Sequence, residues 1–377
     1  MAIALARPWS SGISTGIRPV TRTQPIINGQ TEDEAKRDAA AEHARRLHAE
    51  AVVVNGCAPT RAKLPHAIDS YLKGGVTATN LTTMNNEGFR DGGQWLGQCL
   101  QDIREAREAG KAVAVVQSVT DILATKRLGG TGIILGTQNA DPIEDDLALL
   151  ELFYAAGIRI FQLTYQRRNR VGDGCGEITD GGLSRFGLEV VRRCNELGIL
   201  IDVSHVGRNS LFDTVKASRC PIAITHSNVF TINAIERNKR DDEIRAVVDA
   251  GGIAGVTAVS RLMTSTGRLE GTTLDDYVDQ LEYLGNIVGL EHVAIGLDIN
   301  EGMTEADYEV RKRTFLARFP ELQAGGEFPF EHYYTRGLGS GADLPSLTHV
   351  LVDRGWCDEE IKGVLGDNFV ALFERVW

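Results

Sequence analysis

The chain alternates between short apolar runs that are rich in β-branched residues and longer amphipathic segments. Nine runs have the length and composition of buried strands. They are residues 51–56, 76–81, 112–117, 131–136, 158–164, 199–204, 221–226, 252–257 and 292–297. Between most of them lie segments such as DDLALLELFYAAG and TLDDYVDQLEYLGNIVG, whose apolar residues recur at three- and four-residue spacing. This alternation predicts an α/β fold with a parallel sheet and helices outside it.

Eight strand–helix units close a (β/α)8 TIM barrel, so nine candidate strands are one too many. We expect one of the two runs at 112 and 131 to be accessory. The first thirty residues are rich in Ser, Thr, Gly, Pro and Arg without periodicity, which predicts an irregular arm over 1–30. Residues 31–377 are then one barrel domain. It begins with a helix after Thr31, carries an aperiodic insertion at 303–345 near the barrel mouth, and ends in two helices.

Composition narrows the classes of partner. The formal net charge is -11, and no block of lysine and arginine is present to neutralise phosphates, so we expect neither nucleic acid nor an anionic membrane as partner. Small-molecule substrates remain. No apolar stretch approaches 18 residues, which predicts no membrane span. Six scattered cysteines without CxxC spacing favour a reducing, cytoplasmic location. The acidic surface and the arm are compatible with a homodimer.

Two of the predicted strands deliver a histidine at the same end. The runs ILIDVSHV and PIAITHSN place His205 and His226 at consecutive strand ends, with one amphipathic helix between them. Active sites of parallel barrels assemble at the carboxyl ends of the strands, and imidazole is the commonest metal ligand. A single histidine at such a place is more often a loop cap held by hydrogen bonds. Two in register on neighbouring strands favour a metal site.

Other strand ends carry groups that can converge on the two histidines. Cys57 ends the first run, where a thiolate could bind zinc, although a small buried hydrophobe is the default role of cysteine. Gln138 follows the fourth run and is suited to hydrogen-bond a substrate or a water on a metal. Tyr165 follows the fifth run and is a candidate donor to a developing oxyanion.

Three further residues are candidates for chemistry or binding. Asp298 follows the last strand, where it is either a general base, a metal ligand or an ordinary turn cap. Arg237, in the loop ERNKRDD, could clamp a carboxylate with two parallel hydrogen bonds or be a surface arginine. Asn238 follows it in the same loop and is predicted to contact substrate as well.

The stretch LGILIDVSHVGRNSLFDTVKASRCPIAITHSN is similar, along its full length, to the segment that holds two metal histidines in the membrane dipeptidase family. The resemblance extends through ERNKRDDEIRAVVDAGGIAGV, HVAIGLDINEG and the closing GWCDEEIKGVLGDNFVALFERVW, and it looks like a bacterial branch. It covers roughly residues 50 to 377 apart from 303–340. It implies a metal-dependent hydrolase on a (β/α)8 barrel, of the zinc peptidase type.

The resemblance also implies roles for individual residues. His205 and His226 would be the two imidazoles of one zinc ion, Arg237 the holder of the substrate carboxylate, and Asp298 the acid that handles the proton. The departures concern the second ion. Where relatives with two zinc ions have a His-x-Asp pair this chain has Cys57 and Pro59, and where they have a bridging glutamate it has Gln138. Tyr165 stands where a further histidine contacts the tetrahedral intermediate.

These departures predict one zinc ion per chain. Its third protein ligand is either Asp298 or the thiolate of Cys57, which leaves an open position as in other catalytic zinc sites. Without either, His205, His226 and Gln138 make a neutral site of low affinity. Three functions remain open: a hydrolase of a dipeptide-like amide; a lyase, decarboxylase or isomerase of a small carboxylate on the same barrel; and a metal-free binding protein.

Overall fold

The structure, a computed structural model, describes residues 26–27, 30–264, 270–320 and 328–377. Its strands are β1 (Ile26–Ile27), β2 (Gln30–Thr31), β3 (Val54–Ala58), β4 (Ala78–Met84), β5 (Val113–Val115), β6 (Thr131–Thr137), β7 (Ile158–Gln162), β8 (Leu200–Asp202), β9 (Ala223–Ser227), β10 (Ile253–Val256) and β11 (Val293–Ile295). Its helices are α1 (Glu32–Glu50), α2 (Leu64–Lys73), α3 (Phe89–Glu108), α4 (Val119–Arg127), α5 (Leu147–Ala155), α6 (Arg185–Leu197), α7 (Arg208–Ala217), α8 (Asp241–Asp249), α9 (Ser260–Met263), α10 (Leu274–Val288), α11 (Glu305–Arg318), α12 (Leu344–Asp353), α13 (Asp358–Lys362) and α14 (Asn368–Val376).

Eight parallel strands form the barrel in the order β11-β10-β9-β8-β7-β6-β4-β3. The short β5 pairs with β6 beside this path, so the run at 112 is the accessory one. The first and last strands meet through the side chain of Asn55, which accepts a hydrogen bond from the Leu297 amide at 2.8 Å, and through the Asp298 amide, which donates to the Cys57 carbonyl at 3.0 Å. Each predicted run overlaps one observed strand, and the predicted (β/α)8 barrel is confirmed.

The barrel interior is so narrow around β9 that one neighbouring position excludes a side chain. A Cβ atom built on Gly296, just after β11, would lie 1.9 Å from the backbone oxygen of Thr225. Glycine is therefore required there because it lets two backbones approach closely. This contact fixes the end of β11, and with it the position of Asp298, against β9.

Both ends of the chain depart in part from the prediction. The helix predicted after Thr31 is confirmed as α1, and a two-residue ladder between β1 and β2 precedes it. The rest of the arm predicted over 1–30 lies outside the described residues. The last predicted helix is wrong as one element, because it is split into α13 and α14 by a wide turn over Gly363–Asp367. A Cβ on Gly366 would lie 2.2 Å from the Val52 oxygen, so this turn packs against the backbone just before β3.

The segment predicted to be aperiodic contains α11. Thr304 and Asp307 form a capping box at its start, and its inward side carries Tyr308, Arg311 and Phe315. The prediction failed here because Arg311 occupies the middle of that inward side. It interrupts the three- and four-residue spacing of apolar residues by which a helix is recognised. Residues 321–327 of the segment lie outside the described residues. Within the described ranges, no helix combines the length and apolar character needed to cross a bilayer.

Candidate active site

The carboxyl ends of the barrel strands bring six of the predicted site residues together. These six are Cys57 on β3, Gln138 after β6, Tyr165 after β7, His205 after β8, His226 on β9 and Asp298 after β11. Five are buried, and Asp298 is partly exposed to a cavity at the barrel mouth. Residues far apart in sequence meet here because all eight strands run in one direction.

Three of these side chains offer metal-ligand atoms close to one another. The Cys57 sulfur, a ring nitrogen of His226 and a carboxylate oxygen of Asp298 all lie within 4.8 Å of one another. The Nε2 atom of His205 is 3.0 Å from Nε2 of His226. Thiolate, imidazole and carboxylate are the ligand types that zinc takes in proteins. Two atoms that each lie about 2 Å from one zinc ion are at most about 4 Å apart, so the histidine pair has a suitable separation.

Hydrogen bonds behind His226 fix which of its nitrogens carries the proton. Asp202 accepts from the hydroxyls of Ser204 and Thr225 and from their two amides. The single hydroxyl proton of Thr225 is thereby given to Asp202, at 2.6 Å, so the Thr225 oxygen must accept from Nδ1 of His226, 2.7 Å away. Nε2 of His226 is then unprotonated and faces the other candidate ligands. Such outer partners commonly orient metal-binding histidines.

His205 is fixed from the opposite side. Its Nε2 atom lies 3.1 Å from a terminal nitrogen of Arg237, which can only donate. The nitrogen of the Gln166 side-chain amide lies 2.8 Å from Nδ1, and its oxygen accepts from the Cys175 thiol at 3.2 Å. Both ring nitrogens of His205 therefore face hydrogen-bond donors in this arrangement, so these contacts hold the ring in place without fixing its tautomer.

One side-chain donor also reaches two of the candidate ligand atoms. The amide nitrogen of Gln138 is 3.0 Å from the Cys57 sulfur and 3.1 Å from Nε2 of His226. An amide nitrogen donates and does not bind metal, so in this orientation Gln138 holds ligand atoms and is not one of them. Three of the predicted ligands nevertheless fit zinc, because a ring nitrogen of His226 lies within 4.8 Å of both the Cys57 sulfur and a carboxylate oxygen of Asp298. Nε2 of His205 lies 3.0 Å from His226 and is held by Arg237 in this arrangement.

Burial raises the pKa of both acidic candidate ligands, Cys57 and Asp298. It raises the pKa of the Cys57 thiol well above its ordinary value, and the nearby carboxylates of Asp298 and Asp202 raise it further. Burial also raises the pKa of Asp298, against the opposing charges of Arg237 and Arg311. The thiol donates to Oδ1 of Asp298 across 3.7 Å. Asp298 has a φ of 56°, a left-handed conformation that is rare outside glycine and is found at functional sites.

Tyr165 covers His205 on the cavity side. The two rings stack with centroids 4.2 Å apart and an angle of 26° between their planes. Phe315 and Phe319 meet the tyrosine ring edge-on at 6.2 and 5.5 Å. Burial raises the pKa of the Tyr165 hydroxyl, which therefore stays a neutral donor. The predicted oxyanion role of Tyr165 stays a prediction.

Arg237 and Asn238, the two residues of the loop after β9 that were predicted to bind substrate, donate their hydrogen bonds to other groups of the protein. Arg237 is buried, and its terminal nitrogens donate to the Ser204 and His226 carbonyls, to the Ser227 hydroxyl and to His205. The amide nitrogen of Asn238 donates to the carbonyls of Asn233 and Leu262 at 2.9 and 2.7 Å. Arg237 therefore reaches the site but holds His205 and nearby backbone carbonyls. The side chain of Asn238 is bound to backbone carbonyls of its own loop and of Leu262, which does not favour contact with a substrate.

Sequence reasoning missed the residues that orient the ligands. Asp202 and Thr225 precede the two histidines within the same motifs, and Gln166 directly follows Tyr165. Their polar character inside otherwise apolar runs was the available signal. Arg311 was also missed. It lines a cavity of about 630 Å³ over the site, together with Gln138, Tyr165 and Asp298.

The chain is similar to a known protein family and to individual curated proteins. The family model described as "Membrane dipeptidase (Peptidase family M19)" matches residues 41–312. An uncharacterised dipeptidase of Schizosaccharomyces pombe is 30% identical over 259 residues, which cover 67% of this chain and 55% of that protein. An uncharacterised protein of Klebsiella pneumoniae, from the 5′ region of pqqA, is 29% identical over 235 residues, 60% of this chain and 76% of its own length. The chain therefore spans about half the length of the yeast relative.

A solved structure is similar over nearly the whole barrel. The crystal structure of an amidohydrolase from Pseudomonas aeruginosa superposes with a TM-score of 0.80 and 31% sequence identity. The match covers 89% of this chain and 99% of the other.

Proposed function

The chain belongs to the membrane dipeptidase family, a family of metallo-hydrolases, and on that basis we propose that it holds one zinc ion and cleaves an amide bond in a small, dipeptide-like substrate with a free carboxylate. One observation carries the proposal. Cys57, His226 and Asp298 present three different zinc-ligand types within 4.8 Å, and His205 adds a second imidazole 3.0 Å from His226.

Each residue of the site has its own part in the proposed hydrolysis. Cys57, His226 and Asp298 would hold the ion, with His205 beside His226. When bound, zinc supplies Lewis acidity toward the amide carbonyl. Asp298 faces the cavity and receives or returns a proton at its carboxyl oxygen. The neutral hydroxyl of Tyr165 donates toward the carbonyl oxygen as negative charge develops there. The stacked ring of Tyr165 excludes water from one face of His205.

The same neighbourhood supports one ion rather than two. Pro59 has no ligand atom, and the amide nitrogen of Gln138 lies within 3.1 Å of both Cys57 and His226, where a second ion would need a carboxylate.

Metal analysis of protein prepared without chelator tests the proposal. We expect about one zinc per chain, falling at least tenfold in Cys57→Ser. Cys99→Ser is the matched control, because Cys99 is equally buried but lies in α3, away from the site. Equal zinc content in the two variants would remove Cys57 from the ligand set. Two zinc ions per chain would refute the single-ion site.

A panel of dipeptides and N-acylated amino acids separates hydrolysis from other chemistry. Release of free amino acid by zinc-loaded protein, lost in Asp298→Asn, is the expected result. The replacement of a bridging carboxylate by Gln138 favours one competing function, a lyase, decarboxylase or isomerase acting on a small carboxylate. Zinc-loaded protein that hydrolyses no member of the panel would support that alternative.

A further inference from the structure

We propose that Arg311 of α11 is the anchor for the substrate's anionic group, and that α11 thereby selects small carboxylates that carry an apolar or aromatic substituent. This inference rests on the proposed function only for the bond that is cleaved. The binding step stands on the geometry of the cavity, and it assigns to the 303–345 segment a role in specificity.

The arginine nearest the metal ligands cannot take this role in the arrangement observed. A carboxylate is clamped by two N–H groups that lie side by side on a guanidinium. All four terminal N–H groups of Arg237 have acceptors within the protein, at 2.9 Å to Ser204, 3.3 Å to Ser227, 3.1 Å to His205 and 2.8 Å to His226. Releasing them to a substrate would strip two buried carbonyls of their donors, which costs free energy.

Arg311 is differently placed. It lines the cavity of about 630 Å³ from α11, together with Gln138 and Asp298. Its Nε atom is buried, and no described residue accepts a hydrogen bond from it. The guanidinium carbon lies 4.8 Å from the ring centroid of Phe315, one helical turn further along α11. A buried cationic donor that lacks an acceptor is the group a carboxylate would satisfy.

Other charged residues line the same cavity, and not all of those described are paired: Asp298 faces it, and the guanidinium of Arg318 lies 5.4 Å from the ring centroid of Phe319. Arg61 forms an ion pair with Glu87 and lies over the ring of Trp95. Asp307 pairs with Lys63 at 2.5 Å and caps the start of α11. Arg311 thus keeps its positive charge in a protein whose net charge is -11, and it attracts an anion into the mouth.

The walls of the cavity indicate what the anion is attached to. Phe315 and Phe319 lie 5.1 Å apart and contact Tyr165 edge-on. Val310, on the same helix, is an exposed apolar residue at the same mouth. The guanidinium of Arg311 also hydrogen-bonds Tyr333, but its Nε lacks an acceptor among the described residues. Aromatic and aliphatic surface beside such an arginine suits a small carboxylate with an apolar or aromatic group.

Calorimetric titration of the full chain, prepared without chelator, tests the anchor. The probes are 3-phenylpropionate and hippurate, each compared with its own carboxamide. We expect each acid to bind wild-type protein at least tenfold more tightly than its amide, because the charge-assisted hydrogen bonds are lost in the amide. In Arg311→Gln the acid and the amide should bind equally, and Arg311→Lys should keep part of the preference.

The matched control is Arg313→Gln. Arg313 is an exposed arginine on α11 whose Nε donates to the Glu309 carbonyl, away from the cavity. It should keep the full preference for the acid. The proposal would be overturned if Arg311→Gln still bound the acids more tightly than the amides. It would also be overturned if the acids did not bind to the wild-type protein. Binding does not require turnover, so Arg311-dependent binding in a protein that cleaves no amide would refute the proposed function and leave the anchor standing.

Discussion

Removal of the Thr225 hydroxyl gives the sharpest test of how the site is held. This hydroxyl donates to Asp202 at 2.6 Å and accepts from Nδ1 of His226 at 2.7 Å. Thr225→Val keeps the shape of the side chain, so no cavity forms. It leaves a buried N–H and a buried carboxylate oxygen without this partner, at about 1–3 kcal/mol each. Oδ2 of Asp202 lies 3.6 Å from Nδ1 and can recover part of the loss. We expect unfolding to become easier by about 2–4 kcal/mol.

The same change should weaken zinc binding, because Nδ1 of His226 loses the acceptor that fixes its ring and its tautomer. Outer partners of this kind are worth about 10–100-fold in metal affinity. Urea unfolding of the zinc-free protein measures the first effect, and competition with a chromogenic chelator measures the second. Thr214→Val is the control, since this buried hydroxyl only donates to the Ser210 carbonyl within α7. If both variants lose similar stability and keep equal zinc affinity, the proposed chain from Asp202 to His226 is refuted.

Two further predictions concern packing and pH. Gly296→Ala should lower the free energy of unfolding by at least about 2–3 kcal/mol, because its Cβ would meet the Thr225 oxygen at 1.9 Å. Gly97→Ala, in the exposed interior of α3 with open space around it, should raise it by about 0.5–1 kcal/mol; thermal unfolding of both compares them, and equal effects would contradict the packing argument. His48 is buried between Thr348 and the Gly74 carbonyl, and burial lowers its pKa. A lowered folded-state pKa adds stability above the unfolded value near 6.5, which is lost as the pH falls, so the stability gap between wild type and His48→Gln should narrow from pH 7.5 to 5.5 in urea titrations. A gap that stays constant would show that His48 is not the titrating group.

Much of the fold and half of the site followed from periodicity. The nine apolar runs predicted the strands because a strand buried on both faces reads as a continuous β-branched run. His205, His226, Cys57 and Asp298 were predicted as site residues because each stands directly at the end of such a run, where a parallel barrel brings side chains together. The split of the last helix at Gly366 was missed, since its cause is the close backbone of Val52, which lies more than 300 residues earlier in the chain.

The hydrogen-bond partners of the site residues could not be predicted from the sequence. Arg237 was predicted to hold a carboxylate, yet its donors turn to His205 and to the carbonyls around it. Asn238 was predicted to contact substrate, and its amide serves two loop carbonyls instead. A side chain's type limits what it can bind, but only its neighbours decide which partner it takes.

By itself the sequence determined the barrel, the end of it that carries chemistry, and the residue types present there, because strand period and strand direction are local properties that fix where side chains emerge. The tertiary structure alone decided the rest. It set the tautomer of His226, placed the Gln138 amide beside Cys57 and His226, and brought Arg311 of α11 to the cavity that Asp298 also lines. Those outcomes depend on distances between residues far apart in the chain, and only the closed barrel sets such distances.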